Sequence, residues 1–226
     1  MTEKLDGQNN SFNKHGIFAR SHAASSILPW DKPMRERWEL IKNDLGDLEI
    51  FGENMYGIHS IEYKNLESYY YVFGIREHDR WMSWEEVKFY SSAFDFPTVP
   101  EIPIKIKLKD FYKPNVDENI ILANWLKENI GMTWQEYTST SGVLGGYDPA
   151  SGNPASEGFV IRNINGYVKN DGVIPVADNE FNNLFKLVRE KHVKTDDVHW
   201  TKTWKEAKLV DYSKYRWDQY LYLDNK

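Results

Sequence analysis

Hydrophobic and polar positions along the chain alternate with two different periods, and the changes of period mark out the elements. The first helix is predicted from Asp31 and Pro33, which suit a helix start, through Met34, Trp38, Ile41 and Leu45 on one 3.6-residue face, to Gly46, which ends it. A second starts at Ser83 and Glu86, a capping box ahead of Val87, Tyr90 and Phe94, and stops before Pro97. A third is capped by Asp117, carries Ile121, Leu122, Trp125 and Ile130 on its apolar face, and closes at Gly131.

Between these lie strand signals. Glu3 to Asp6, a turn at Gly7, and Gly16 to Arg20 read as strand, turn, strand. Leu48 to Glu53 and Tyr69 to Ile75 are compact aromatic or β-branched runs, expected to be largely buried strands. Ile102 to Phe111 alternates strictly, with Lys105, Lys107 and Lys109 on one face. Ser139 to Ser156 concentrates small polar residues and glycine and is expected to be a loop. Gly158 to Arg162 and Gly166 to Val168 read as two strands of a hairpin joined by Asn163-Ile164-Asn165. No internal repeat is present.

Composition narrows the chemistry. The 226 residues carry 28 basic and 34 acidic side chains, a net charge of −6, enough chain for one large domain or two small ones. The absence of cysteine excludes disulfides, thiolate metal sites and a cysteine nucleophile. Six histidines include no i, i+4 pair on a predicted helix, so a zinc site is not expected. No apolar run approaches the ~18 residues of a membrane span, and the polar start has no signal-peptide core. A soluble, cytoplasmic protein is therefore expected. Aromatic residues are frequent at 15%, nine of them Trp, which suits stacking surfaces as well as cores. Neither Walker A nor Gly-x-Gly-x-x-Gly occurs, so any nucleotide site has another design.

Five segments carry candidate chemistry: Glu3-Lys4-Leu5-Asp6-Gly7, Phe18-Ala19-Arg20-Ser21-His22, Phe51-Gly52-Glu53-Asn54, Tyr70 to Ile75, and Ser156-Glu157-Gly158-Phe159-Val160-Ile161-Arg162. Singly each is weak, since Lys-x-Asp-Gly is also an ordinary strand-to-turn sequence. In this order they resemble the signature of covalent nucleotidyltransferases, and most nearly the ATP-dependent RNA ligases of phages and bacteria. That resemblance implies an α+β fold, two packed antiparallel sheets with flanking helices, related to the ATP-grasp-like ligase core. It implies an adenylation domain over 1–190, with a small extension over 191–226.

The activity implied is the joining of a 5′-phosphate to a 3′-hydroxyl on RNA, with ATP and Mg2+ or Mn2+ as cofactors. Lys4 would take AMP as a phosphoramidate, covalent catalysis by an activated amine. A lysine amine is less than about 0.1% neutral near pH 7, so nearby cations are expected to destabilise its ammonium. Arg20 would grip phosphate beside it. Glu53 matches the acceptor of the ribose hydroxyl, Phe73 the aromatic under the adenine, and Glu3 belongs to the same cofactor-binding set. Glu157 resembles the acidic residue that holds the catalytic metal, with Asp6 assisting, and Asn9 matches a residue that orients RNA ends.

The family's last element is a strand with two lysines one residue apart. Lys186 fits the first, and Val188 stands at the second, so Arg189, Lys191 or Lys194 supplies that charge or it is missing. Phe181, Leu184, Phe185 and Val188 fit helical spacing, so a strand here rests on the resemblance. Only three residues precede Lys4, where the family has a further segment, so a truncated or reduced start is expected. The 38 residues after Val188 are too few for the oligonucleotide-binding barrel of DNA ligases and capping enzymes, which favours the RNA branch.

RNA ends would be the partner, prepared in some settings by a polynucleotide kinase or phosphatase, with no membrane involved. The lysine face of 105–109 and the basic stretch Lys186 to Lys208, with Trp200 and Trp204, are candidate RNA surfaces; a solvated face is the plainer explanation of either, more strongly so for the lysine strand, since strand edges often carry lysines against aggregation. Two alternatives stay open: a non-catalytic RNA-end or nucleotide-binding module, and a nick-sealing DNA ligase.

Overall fold

The computed structural model describes residues 1–19, 25–102, 118–168, 183–189 and 204–213. Two antiparallel sheets organise it. The larger has six strands: β2 (Gln8–Asn13), β3 (Gly16–Ala19), β4 (Leu48–Asn54), β6 (Tyr70–Glu77), β7 (Arg80–Trp81) and β10 (Tyr167–Val168), in the order β10-β7-β6-β4-β2-β3. The smaller has three: β1 (Thr2–Lys4), β9 (Gly158–Arg162) and β11 (Leu184–Val188), in the order β1-β9-β11. A two-stranded pair joins β5 (Glu62–Tyr63) to β8 (Gly146–Tyr147). The α+β class with antiparallel sheets and few helices matches the expectation.

Alternation decides which face each strand buries. On β2 and β4, Asn10, Phe12, Ile50 and Asn54 are buried on one side, while Asn9, Ser11, Asn13, Glu49, Phe51 and Glu53 take the other. The buried face meets helix α1 (Lys32–Ile41), which supplies Met34 and Ile41, and helix α2 (Trp84–Ala93), which supplies Val87. The capping box of α2 is made on both sides: Ser83 accepts from the Glu86 N–H, and Glu86 accepts from the Ser83 N–H. Helix α3 (Glu118–Ile130) packs Leu126 behind the smaller sheet with Tyr137 of α4 (Trp134–Thr138), Phe159 and Leu187.

β4 and β6 approach closely at a register shift between Phe51 and Gly52. The Tyr70 ring lies across Gly52, where a Cβ would stand 2.6 Å from Tyr70 Cε1 and 2.7 Å from the Tyr71 carbonyl oxygen. Its hydroxyl shares its one proton between the Asn10 and Ile50 carbonyls, at 2.9 and 3.1 Å. A side chain at 52 would break this crossing, so glycine before Glu53 is a packing requirement.

Residues 97–102 link the two sheets. Val99 N–H donates to the Val72 carbonyl, and Glu3 N–H donates to the Pro100 carbonyl, each at 2.9 Å. The link brings β1 alongside the larger sheet, and with it Lys4.

One expectation changes, one gains detail and one is borne out. Tyr167–Val168 makes no hairpin with β9; it pairs with β7, so residues 163–166 carry the chain from one sheet to the other. Leu48–Asn54, expected to be largely buried, alternates between buried and half-buried positions with none exposed. Leu184–Val188 is a strand despite its helical spacing, paired with β9 along its whole length. The run 103–111, Asp117, and Lys191, Lys194 and Trp200 lie outside the described residues. Residues 204–210 contribute Ala207 and Leu209 to the core cluster beneath the larger sheet.

Candidate active site

The register of the smaller sheet aligns the chemistry. Lys4 stands opposite Gly158, which stands opposite Val188; Thr2 stands opposite Val160, which stands opposite Lys186. Residues directly opposed in an antiparallel sheet share a face, so Lys4, Lys186 and Arg162 project to one side while Glu3, Phe159 and Leu187 project to the other.

Lys4 Nζ sits 2.7 Å from Glu157 Oε1 and donates to Glu157 Oε2 at 2.8 Å. Glu157 is buried ahead of β9, and its position is set by its neighbour: Ser156 N–H donates to the Thr138 carbonyl at 3.2 Å, and Ser156 Oγ to the Tyr137 carbonyl at 3.0 Å. Glu53 is brought up by the turn after β1, where the Gly7 N–H donates to its Oε1 at 3.1 Å. A Cβ on Gly7 would stand 2.5 Å from the Asn54 carbonyl oxygen, so only glycine lets this turn lie against β4. Asp6 Oδ2 accepts from both the N–H and the hydroxyl of Ser60, at 2.9 and 2.6 Å.

Three carboxyl groups thus surround one ammonium. Burial opposes the charge of Lys4, but Glu53, Glu157 and Asp6 outweigh it and hold the amine above the ordinary lysine range. This differs from the expected cationic surroundings: in the free protein the amine is stored protonated. Burial pushes Glu53 up to about 7, partly offset by Lys4 and reinforced by Glu157 and Asp6.

Beside this cluster, a cavity of about 600 Å3 opens between the sheets. Its lining includes Asn9, Phe51, Phe73, Trp84, Arg162 and Lys186. Asn9, Phe73 and Lys186 are therefore brought together here; Lys4, Glu53 and Glu157 are not among the lining residues, and the cluster adjoins the cavity through Asn9, which is paired with Glu53. Glu3 is not: its carboxyl is on the back of β1, buried, where Oε2 accepts from the Val143 N–H at 2.8 Å. Asp6 lies near Lys4 with one oxygen engaged by Ser60. Arg20 lies outside the described residues. Trp204 packs against Tyr56 and Trp30, at ring-centroid distances of 5.7 and 6.1 Å.

Arg162 stands in the fifth of the sequence segments, where the motif assigns it no role. Its guanidinium donates to the Phe73 carbonyl, lies 4.8 Å over the Trp84 ring, and is lowered by burial to about 10. The signal was available, since β9 alternation puts 162 on the face of Lys4. Ser60 gave no signal, being a loop serine outside every motif.

Among the described residues no group of three or more side chains is arranged to hold a metal ion unaided. The surplus of carboxyl over ammonium charge around Lys4 suits a divalent cation that brings its own phosphate and water ligands. Among the same residues no helix is long and apolar enough to cross a membrane.

A family model described as RNA ligase matches residues 1–188. No curated protein matches the chain.

Proposed function

Because the chain belongs to the RNA ligase family, we propose that it is an ATP-dependent RNA ligase working through lysyl-AMP at Lys4. One observation carries this reading: Lys4 is held by Glu157 and ringed by Glu53 and Asp6, beside a cavity lined by Phe73, Asn9 and Lys186. A lone surface lysine would show none of these partners.

In the proposed reaction the Lys4 amine attacks the α-phosphorus of ATP, a phosphorus–nitrogen bond forms, the bond to the bridging oxygen breaks, and pyrophosphate leaves. The amine must first lose a proton to solvent, and Glu157, bonded to it, keeps it in place for attack. Glu53 accepts a ribose hydroxyl, Phe73 supplies a stacking face, and Lys186 neutralises phosphate charge. Arg20 is proposed as a second phosphate grip and Asn9 as an orienting contact for the RNA end. Glu157, with Asp6 beside it, would hold magnesium or manganese, which when bound supplies charge neutralisation at the phosphates. The RNA 5′-phosphate then takes AMP from Lys4, and the 3′-hydroxyl displaces it.

A second reading, a nucleotide-binding module without catalysis, is favoured by Val188, which puts an aliphatic side chain across Gly158 from Lys4. Incubation with α-labelled ATP and magnesium separates the two. Label retained on the denatured polypeptide, and lost in Lys4→Ala, supports the ligase; an unlabelled wild type with intact ATP binding supports the module. Sealing of nicked RNA over nicked DNA then distinguishes the branch.

A further inference from the structure

We propose that Arg189 is a positioning residue for the Lys4 cluster, tying together the two carboxylates that flank the lysine. β11 reaches Lys4 only with Val188, across Gly158. The next residue does something different. The Arg189 N–H donates to the Glu157 carbonyl at 2.9 Å, continuing the pairing one step past the strand. Its Nη2 donates to Ser60 Oγ at 2.9 Å, and Ser60 Oγ donates to Asp6 Oδ2 at 2.6 Å.

A hydroxyl has a single proton and two lone pairs. Ser60 accepts from a guanidinium, which can only donate, so its own proton goes to Asp6, and the relay runs in one direction. Both of its links involve an ionised partner and are of the stronger, charge-assisted kind. Asp6 is fixed from the other side as well, its N–H donating to the Tyr63 hydroxyl at 2.9 Å. Through its main chain Arg189 thus holds the residue bonded to Lys4, and through its side chain it holds the carboxylate two residues beyond Lys4.

The loop that carries Ser60 is anchored from a distant part of the chain. Ile58 N–H donates to the Lys205 carbonyl and Ala207 N–H to the Tyr56 carbonyl, at 2.9 and 2.8 Å. Glu206 accepts from the Tyr56 hydroxyl at 2.9 Å. The loop is therefore a fixed bracket, and a link from Arg189 to it is a link to the main body.

The proposal rests on the ligase reading, so its test has one arm inside that reading and one outside it. In single-turnover labelling, Arg189→Ala is expected to slow formation of labelled protein about 10- to 100-fold, the usual scale for a misplaced reacting group, with the KM for ATP changed less than about threefold. Arg189→Lys is expected to recover part of that rate. Ser60→Ala is expected to resemble Arg189→Ala, and the double variant to be no slower than either alone, because one relay is broken only once.

A wild-type rate in Arg189→Ala, or losses that multiply in the double variant, overturns the proposal; so does a raised KM at unchanged rate, which would make Arg189 a ligand of ATP. If wild type is not labelled, the ligase reading fails by itself. Wild type, Arg189→Ala, Ser60→Ala and their double variant then report the relay through thermal unfolding: a coupling between the two substitutions supports it, and strict additivity overturns it.

Discussion

Glu3 and Lys4 are neighbours on one strand, yet they face opposite sides of the smaller sheet and meet opposite surroundings. In front, Lys4 shares its space with Glu157, Glu53 and Asp6, an arrangement with more negative than positive charge. Behind, Glu3 meets no cation among the described residues. It points beneath the turn at Gly142 and takes hydrogen bonds from the backbone of Val143 and Leu144. Burial pushes Glu53 and Glu3 alike up to about 7, but two further carboxylates add to the rise at Glu53, whereas at Glu3 burial acts alone against the backbone donors. The same kind of side chain is raised equally on both faces, set among other charges in front and against backbone donors behind. What distinguishes them is the partner supplied by the rest of the fold.

The sharpest way to break the comparison is to disarm the front. Glu157→Gln keeps the shape and removes the charge that holds Lys4, and is expected to cut the rate of lysine labelling by roughly 100- to 1000-fold, the scale for losing one electrostatic contact at a reacting phosphate. Thermal unfolding should move little, since Glu53 and Asp6 remain. A variant that labels at the wild-type rate would mean that the front face holds charge for stability alone.

How legible each face was follows from where its partners come from. The front is written in contiguous motifs: Lys4 to Gly7 brings amine, carboxylate and turn together, and Phe51 to Glu53 and Gly158 to Arg162 are strands whose two-residue period fixes which side chains point inward. Lys186 followed from the resemblance and is aligned by pairing with β9. The back was not legible, because the donors to Glu3 come from Val143 and Leu144, a loop whose sequence announces turns but no partner. The hairpin expected at 163–165 failed for a related reason. Two strand-like runs with a short polar link suggest each other as partners, yet the free edge of β7 took Tyr167–Val168. Helical spacing at 184–188 likewise gave way to a neighbouring strand edge, tertiary pairing overriding local pattern.

The back face makes its own prediction, in stability rather than rate. The folded-state pKa of Glu3, about 7, is raised above its ordinary value of 4.5. The carboxyl is then neutral in the folded protein where the unfolded chain would ionise it. Its contribution is fully present below about pH 4.5 and is lost as pH rises toward 7. At about 1.4 kcal/mol per pH unit, the loss reaches up to about 3 kcal/mol. Glu3→Gln should therefore be the more stable protein at pH 8 and should lack this part of the decline between pH 5 and 8. Urea unfolding of both proteins at the two pH values checks it; parallel declines would show that Glu3 does not titrate with the fold.

The smallest expected effect concerns the turn above Glu3. Gly142 has φ of +58°, and a Cβ there would collide with Glu3 Oε1. Gly142→Ala therefore carries two penalties: a left-handed backbone, costing roughly 1 kcal/mol or somewhat more for a residue with a Cβ, and displacement of a buried carboxyl from its backbone donors. The two are separable, because Glu3→Ala removes the obstructing atoms and leaves the backbone conformation. Gly142→Ala is expected to cost about 2 kcal/mol in the wild type and about 1 kcal/mol in the Glu3→Ala background, read as a double-mutant cycle in urea. Equal costs in both backgrounds would mean that the turn keeps its conformation without reference to the carboxyl beneath it, and that the back face is a packed surface rather than a polar site built around Glu3.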